Sequence, residues 1–379
     1  MTAPGAALPR SPWLVSPAFD LAFFFGGAGL GAGSALAVLL FGVPVTVVWW
    51  IWLLGFDGPH MMATYSRTYL DNRSWREQPK LLLGTLAAFA VGPLAVLMSG
   101  IAGRDEPFLL FVAVATGYGY YHVTRQHWGF LALYRTRRAD RSRAGFLVDK
   151  WGLYVGCWAP YAAFLITHDK TRPLLGLAGS APAWLALPFI AAWIACLSLI
   201  LVRALRERAG GLQTVYAAVV LLLHGAAYFI VARFEPVYSA SSGPDEDFLL
   251  LTVMLSTFHA TEYIALVYIH NRSRYAPASS GAASWLSKTA ARFLLVCLGF
   301  SVAYLFMASS TGVFPVIRSF AGKTVGGMSV NRLALSLWWG LALHHYVIDQ
   351  RIWRIKEDPE LRKHLGLATW SQSSNTTVA

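Results

Sequence analysis

The sequence predicts an all-α, polytopic transmembrane helix bundle, and three observations carry that prediction. Apolar residues make up 56% of the 379-residue chain and charged residues only 13%, about half the charge of an average soluble domain. About ten apolar stretches are long enough to cross a hydrocarbon layer of about 30 Å, which takes about 20 helical residues. The basic residues are gathered between those stretches with a strong bias to alternate connections. Together these features exclude a cytosolic enzyme, a disulfide-stapled secreted domain and a disordered scaffold.

The stretches lie near residues 20–40, 43–66, 81–101, 107–134, 150–168, 183–205, 213–234, 247–270, 290–310 and 326–349. Residues 1–353 read as one transmembrane helical domain and 354–379 as a short, partly disordered cytoplasmic tail. A net charge of +12 would point a soluble chain toward nucleic acid. Here it sets topology, and no nucleic-acid partner is expected. With the N-terminus in the cytoplasm, most of the 31 Lys and Arg fall on one side, at Arg10, 67–80, 135–150, Arg203 to Arg208, Arg272 to Arg292 and the tail. That is the positive-inside pattern, and it places both termini in the cytoplasm of a bacterial inner (plasma) membrane. No cleavable signal peptide is expected, because the first apolar stretch runs on past the Ala35-Leu36-Ala37 site into Val38 to Phe41. No internal repeat is apparent, which argues against transporter folds built from repeated halves.

The first span holds Gly26, Gly27, Gly29, Gly31 and Gly33. The i, i+4 pairs Gly27/Gly31 and Gly29/Gly33 read as close helix packing rather than a phosphate loop, since no strand precedes them. The second span carries Asp57 and His60. His60, Thr64, Arg67 and Asp71 recur within about 40° on one helical face, and Gly58-Pro59 should kink or break the helix just before them. In the fourth span, His122 and Gln126 share a face while His127 lies about 140° round from His122, so an ideal helix cannot aim both imidazoles at one point without a π-bulge. Cys157, Cys196 and Cys297 are isolated in or beside apolar spans, where neither a disulfide framework nor a thiolate cluster is expected. His224 in the seventh span reads as a structural, hydrogen-bonded histidine, and His168 and His364 take no role.

The eighth span aligns His259, Glu262, Tyr263 and His270 on one stripe, with His-x-x-Glu the reverse of the Glu-x-x-His spacing of helical di-iron proteins. The tenth holds His344, His345 and Asp349. The last two are i, i+4 neighbours, at which a carboxylate shares a metal or orients the imidazole. Trp49, Trp50, Trp338 and Trp339 read as interfacial or packing aromatics. In the expected topology the second, fourth, eighth and tenth spans run in the same direction. Their ionisable groups then fall at one depth near the cytoplasmic face, where intramembrane polar residues mark function.

The Gly58-Pro59-His60 run, Tyr121-His122, His127-Trp128-Gly129, and His259 and His270 bracketing the eighth span resemble the histidine-rich multispan membrane non-haem iron oxygenases. Among them they are nearest to the Brp/Blh-type carotenoid-cleaving dioxygenases. The resemblance implies intramembrane histidines that hold an iron and activate oxygen against an apolar substrate. The Asp that follows the Gly-Pro-His motif in that family is absent, since Thr64 and Tyr65 stand near its place. The His-x-x-x-His and His-x-x-His-His boxes of membrane desaturases are absent too, so substrate and reaction are not carried over.

Imidazole and carboxylate ligands without thiolate suit iron, zinc, manganese or copper. The expectation is a membrane metalloenzyme with a mono- or dinuclear non-haem iron site near the cytoplasmic face, acting oxidatively on a lipophilic small molecule. The expected metal ligands are His60, His122, His259, His270 and His345, with His127 and His344 in reserve. Glu262 and Asp349 are ligands or orienters, Arg67 and Arg125 pair with carboxylates or with an anionic headgroup or substrate, and Tyr263, with Tyr65, Tyr121 and Tyr346, donates hydrogen bonds. The alternatives are a proton-coupled transporter using Asp57, Glu262 and Asp349, a bis-His haem electron carrier, and a purely structural membrane subunit.

Overall fold

The computed structural model describes residues 11–138, 140, 142–169, 171–177, 179–206, 211–234, 246–275, 281–309, 323–355 and 357–367. The expected disordered end of the tail lies outside the described residues. Those residues are almost entirely helical, apart from a two-residue hairpin pairing Thr324–Val325 with Met328–Ser329.

Every predicted apolar stretch is helical over most of its length, the tenth only from Val330 because residues 326–329 belong to the hairpin. The helices are α1 (Pro17–Phe41), α2 (45–67), α3 (Asn72–Glu77), α4 (Pro79–Ala102), α5 (Glu106–Arg137), α6 (Arg143–Thr167) and α7 (Ala183–Arg206). They continue with α8 (Leu212–Arg233), α9 (Glu246–Arg274), α10 (Ala282–Ser287), α11 (Ala290–Ser309), α12 (Val330–Ile352) and α13 (Pro359–His364). Among the described residues, α1, α4, α7, α8 and the Phe248–Arg274 part of α9 are long and apolar enough to cross a membrane. Helices α5 and α12 are also long, at 32 and 23 residues. Their mean hydropathy is lowered by the same His, Asp and Arg residues that make them interesting, as is that of α2.

The chain separates into two compact units, with α5 and α9 each passing from one to the other. The first contains the described residues up to Val45 and Val123–His259. Within it, a Cβ on Gly31 would stand 2.1 Å from the Met254 carbonyl oxygen, so only glycine lets α1 meet α9 there, whereas Gly29 and Gly33 have open space beside them. Packing therefore uses the Gly27/Gly31 face alone, with Gly27, Ala28, Gly31, Ala35 and Val38 buried. Four charges close the same unit at one end. Arg135 and Arg203 both bond Asp149, and both also reach Asp140. Each buried charge has an opposite partner, which is the condition for tolerating it away from water. Asp20, fully buried, accepts from the Leu14 and Val15 N–H groups and from Tyr134 Oη at 3.0 Å.

The second unit contains Thr46–His122 and the described residues from Ala260 onward. Helix α2 holds a wide π-turn over Leu53–Asp57 immediately before Gly58. Pro59 was expected to kink or break the helix. The helix is irregular there but not broken: the widened turn makes room for its ring, closing through Gly58 N–H to the Leu53 carbonyl. The face that carries His60 and Thr64 ends at Arg67, where Thr68 leaves helical geometry. The expected continuation of that face to Asp71 stops there. Met62, Ala63, Tyr263, Val267, Leu286, Phe293 and Cys297 form one core cluster, and Val96, Phe108 and Phe111 another. Trp49 lies 4.6 Å from Trp52 and 6.4 Å from Trp338, ring to ring, as packing aromatics. All three cysteines are free and buried.

Asp71 instead caps α3 through the Arg73 N–H and bonds Arg274 at 2.7 Å. Burial pushes its pKa up, but the Arg274 guanidinium, the Arg73 N–H and the Ser74 hydroxyl outweigh it and leave the carboxyl below its ordinary value. A depressed carboxyl stabilises the fold above its unfolded pKa, about 4, and that stabilisation is lost as pH falls through the lower folded value. Because Asn still caps a helix, Asp71→Asn isolates the charge. We expect it to cost about 1–3 kcal/mol near neutral pH. Thermal unfolding in detergent should show the two proteins converging below about pH 4, and a gap that persists there would assign the effect to packing.

Candidate metal centre

The second unit brings its helices together around three imidazoles. His60 sits one turn after the π-turn on α2, His122 on α5 and His345 on α12, and all are 2% exposed or less. His345 Nε2 lies 2.7 Å from His60 Nε2 and 3.2 Å from His122 Nε2. On the other side of the His345 ring, Nδ1 is 2.7 Å from Thr64 Oγ1, which is 2.9 Å from Tyr263 Oη. Helix α9 is unbroken across His259 and Ala260. The helix that presents Tyr263 therefore presents His259 one turn earlier, and one nitrogen from each of His60, His122, His259 and His345 lies within 4.8 Å of the others.

This arrangement fits a metal ion. Imidazole nitrogens bound to one ion at about 2.1 Å stand about 3.0 Å apart at right angles and about 3.4 Å apart at tetrahedral corners. The observed 2.7 and 3.2 Å bracket the first of these spacings. Hydrogen bonding alone serves such a cluster badly, because His345 Nε2 faces two other Nε2 atoms and can share at most one proton with them. In the tautomer where His345 Nδ1–H donates to Thr64, the lone pair of Nε2 points at its two neighbours, as a metal ligand requires. The Thr64 hydroxyl is hydrogen-bonded in turn to Tyr263 Oη.

The surroundings hold these rings rigidly. Tyr346 stacks on His122 with ring centroids 4.5 Å apart, and Tyr263 lies 4.5 Å from the His60 ring and 5.4 Å from that of His345. The Asp349 carboxylate is 3.9 Å from His122 Nε2, within reach of a small shift but outside direct bonding. It was expected to share a metal with His345, its i, i+4 neighbour, or to orient that imidazole; the contact on His345 Nδ1 is made by Thr64, because the ring turns Nδ1 toward α2.

The other candidates go elsewhere. His270 is buried beside Asn271, with its ring 5.8 Å from Trp353 and 5.2 Å from His364. It shares the stripe of His259 but lies eleven residues on, about 16 Å along the axis. His344 points away from its neighbour and bonds Tyr69 Oη at 2.7 Å, between Tyr65 and Phe89. In the first unit, His127 bonds Tyr216 Oη at 3.0 Å and stands edge-on to His224 at 5.8 Å. Helix α5 is α-helical throughout, with no π-bulge to swing His127 onto the His122 face. Glu262 is fully buried one turn after His259, Arg125 is exposed on α5, and Gln126 donates to the His259 carbonyl at 2.8 Å. Asp57 accepts from Tyr304 Oη at 2.5 Å.

The orienting role of Thr64 and the Asp57–Tyr304 pair escaped the sequence reading. The signal for the first was present, since Thr64 lies four residues after His60. Tyr304 left none, because its partner is on another helix. No protein family, no curated protein and no solved structure matches the chain.

Proposed function

We propose that the protein is a multi-pass integral membrane oxidoreductase whose non-haem iron is held by His60, His122, His259 and His345 and which acts on a lipophilic substrate. The observation that carries this reading is the group of four buried imidazoles, whose nitrogens lie within 4.8 Å of one another. A nitrogen-only donor set admits iron, zinc, manganese and copper. Iron is favoured by the resemblance to histidine-rich membrane non-haem oxygenases and by the apolar surroundings, into which both oxygen and lipids partition. When bound, the iron supplies oxygen and one-electron chemistry.

The chain's own residues have separate tasks. Thr64 fixes the His345 tautomer, Tyr346 holds the plane of the His122 ring, and Tyr263 and Thr64 form a short hydroxyl chain beside the ligands. Asp349, 3.9 Å from His122 Nε2, would reach the His122 edge as a proton acceptor or a carboxylate ligand after a small shift. The ten-span topology with both termini cytoplasmic belongs to the same proposal.

Elemental analysis and an absorption spectrum of detergent-purified protein test it. Equimolar iron without a Soret band is the expected result. Zinc alone would move the reading to hydrolytic chemistry, a Soret band to haem, and a folded protein binding no metal would overturn it.

A further inference from the structure

We propose that Arg67 is an anion anchor, holding the carboxylate or phosphate of an amphiphilic ligand. Arg67 ends α2 and is 7% exposed. Its Nη2 donates to the Ile352 carbonyl at 2.5 Å, and its guanidinium lies 3.7 Å over the Trp353 ring. Nη1 is buried with no hydrogen-bond partner. No carboxylate among the described residues lies within ion-pair distance of it.

The nearby acids have other commitments. Asp71 bonds Arg274, Asp358 caps α13 at the Leu361 N–H, and the Asp349 carboxylate faces the His122 edge and Tyr263. Nitrogen groups also stand on the facing elements: the His270 ring on α9 lies against Trp353 and against His364 on α13, and His364 Nδ1 is also buried without a partner.

Asp349 and Asp358 favour its charge only from beyond ion-pair distance; an arginine stays charged at any ordinary pH, and a buried charge without a direct counter-charge costs several kcal/mol. Such a guanidinium is retained where an oxyanion completes it, because its planar fork matches carboxylate and phosphate oxygens. Arg67 presents one edge already fixed by a carbonyl, one face fixed by an indole, and a buried Nη1 whose hydrogens have no acceptor. It also lies seven residues from His60 on the same helix, about 10 Å along the axis. An anion there would fix the polar end of a long molecule two turns from the imidazole group. This names the polar end of the substrate in the proposed function. It rests on that reading only for calling the ligand a substrate, and the binding itself does not need a metal.

Thermal shift and isothermal calorimetry with laurate, dodecyl phosphate and inorganic phosphate, on the intact detergent-solubilised chain, provide the test. At least one of the three should raise the unfolding temperature of the wild type, and Arg67→Met should weaken that ligand about tenfold or more. Laurate acting without the phosphates marks a carboxylate ligand. Dodecyl phosphate without inorganic phosphate marks a lipid headgroup, and inorganic phosphate alone a free anion. If Arg67→Met does not fold, Arg67→Lys carries the comparison, since it keeps the charge and loses the fork, and it should bind several-fold more weakly. A wild type indifferent to all three probes, or a folded variant with unchanged affinity, would overturn the anchor. Metal content read on the same samples separates the two readings: an Arg67-dependent anion response in metal-free protein keeps the anchor and sinks the iron site.

Discussion

If the four imidazoles hold iron as proposed, alanine at His345 should strip the metal from the purified protein and abolish the proposed oxidative activity, while alanine at His270 should leave the metal in place. His345 is the hub of the group, since its Nε2 faces both His60 and His122 and its Nδ1 faces Thr64. Removing it deletes one ligand and releases the contact that sets the other two. Loss of a group that merely orients a ligand costs about 10–100-fold in metal affinity, which is the range expected for Thr64→Val. Loss of the ligand itself should exceed that. His270 shares a helix stripe with His259 but packs against Trp353 and His364, so its alanine variant is a control for nonspecific disruption. Equal metal loss in the two alanine variants, measured by elemental analysis of folded material, would refute the ligand assignment.

Gly58→Ala should destabilise the second unit and lower metal occupancy together. A Cβ at Gly58 would stand 2.4 Å from Ser301 Oγ, 2.7 Å from its Cβ and 2.8 Å from its Cα. Ser301 is fully buried and its hydroxyl donates to the Cys297 carbonyl at 2.8 Å. It cannot swing aside, so α2 and α11 must separate. Overpacking of this kind costs about 1–3 kcal/mol, against a gain of up to about 1 kcal/mol for replacing glycine inside a helix. Because His60 follows two residues later, the displacement is passed to the imidazole group. Gly55→Ala supplies the contrast: nothing lies within 4 Å of a Cβ there, and the change should be neutral or mildly stabilising. Matching unfolding temperatures for the two variants would show that the α2–α11 contact is not tight.

How much of this was legible in the sequence differs from helix to helix. Each apolar stretch became a helix because hydrophobic runs of that length leave a chain few other ways to satisfy its backbone. The four histidines that converge were recognisable as ionisable groups inside apolar segments, an arrangement with a cost that few structural roles justify. Helical phase sorted His344 from His345 correctly, because adjacent residues differ by about 100° in direction. It failed for His270, since a shared stripe says nothing about distance along the axis, and three turns carry a side chain out of any one site. At Pro59 the sequence reading located the irregularity but not its form, because the rule that proline breaks helices assumes a regular α-turn before it. The wide turn over Leu53–Asp57 removes that assumption, and composition alone did not reveal it.

The chain's last described helix has a practical consequence for anyone producing the protein. Leu361 is 1% exposed and Leu367 6%, and His364 packs against His270 while Trp353 forms the floor under Arg67. The segment after α12 is therefore a wall of the folded unit, clamped onto the ends of α2 and α9. An affinity handle or fluorescent fusion joined beyond Leu367 leaves that wall intact. One joined directly after Ile352, where the hydropathy ends, would remove the indole beneath Arg67 and open the polar cluster to solvent.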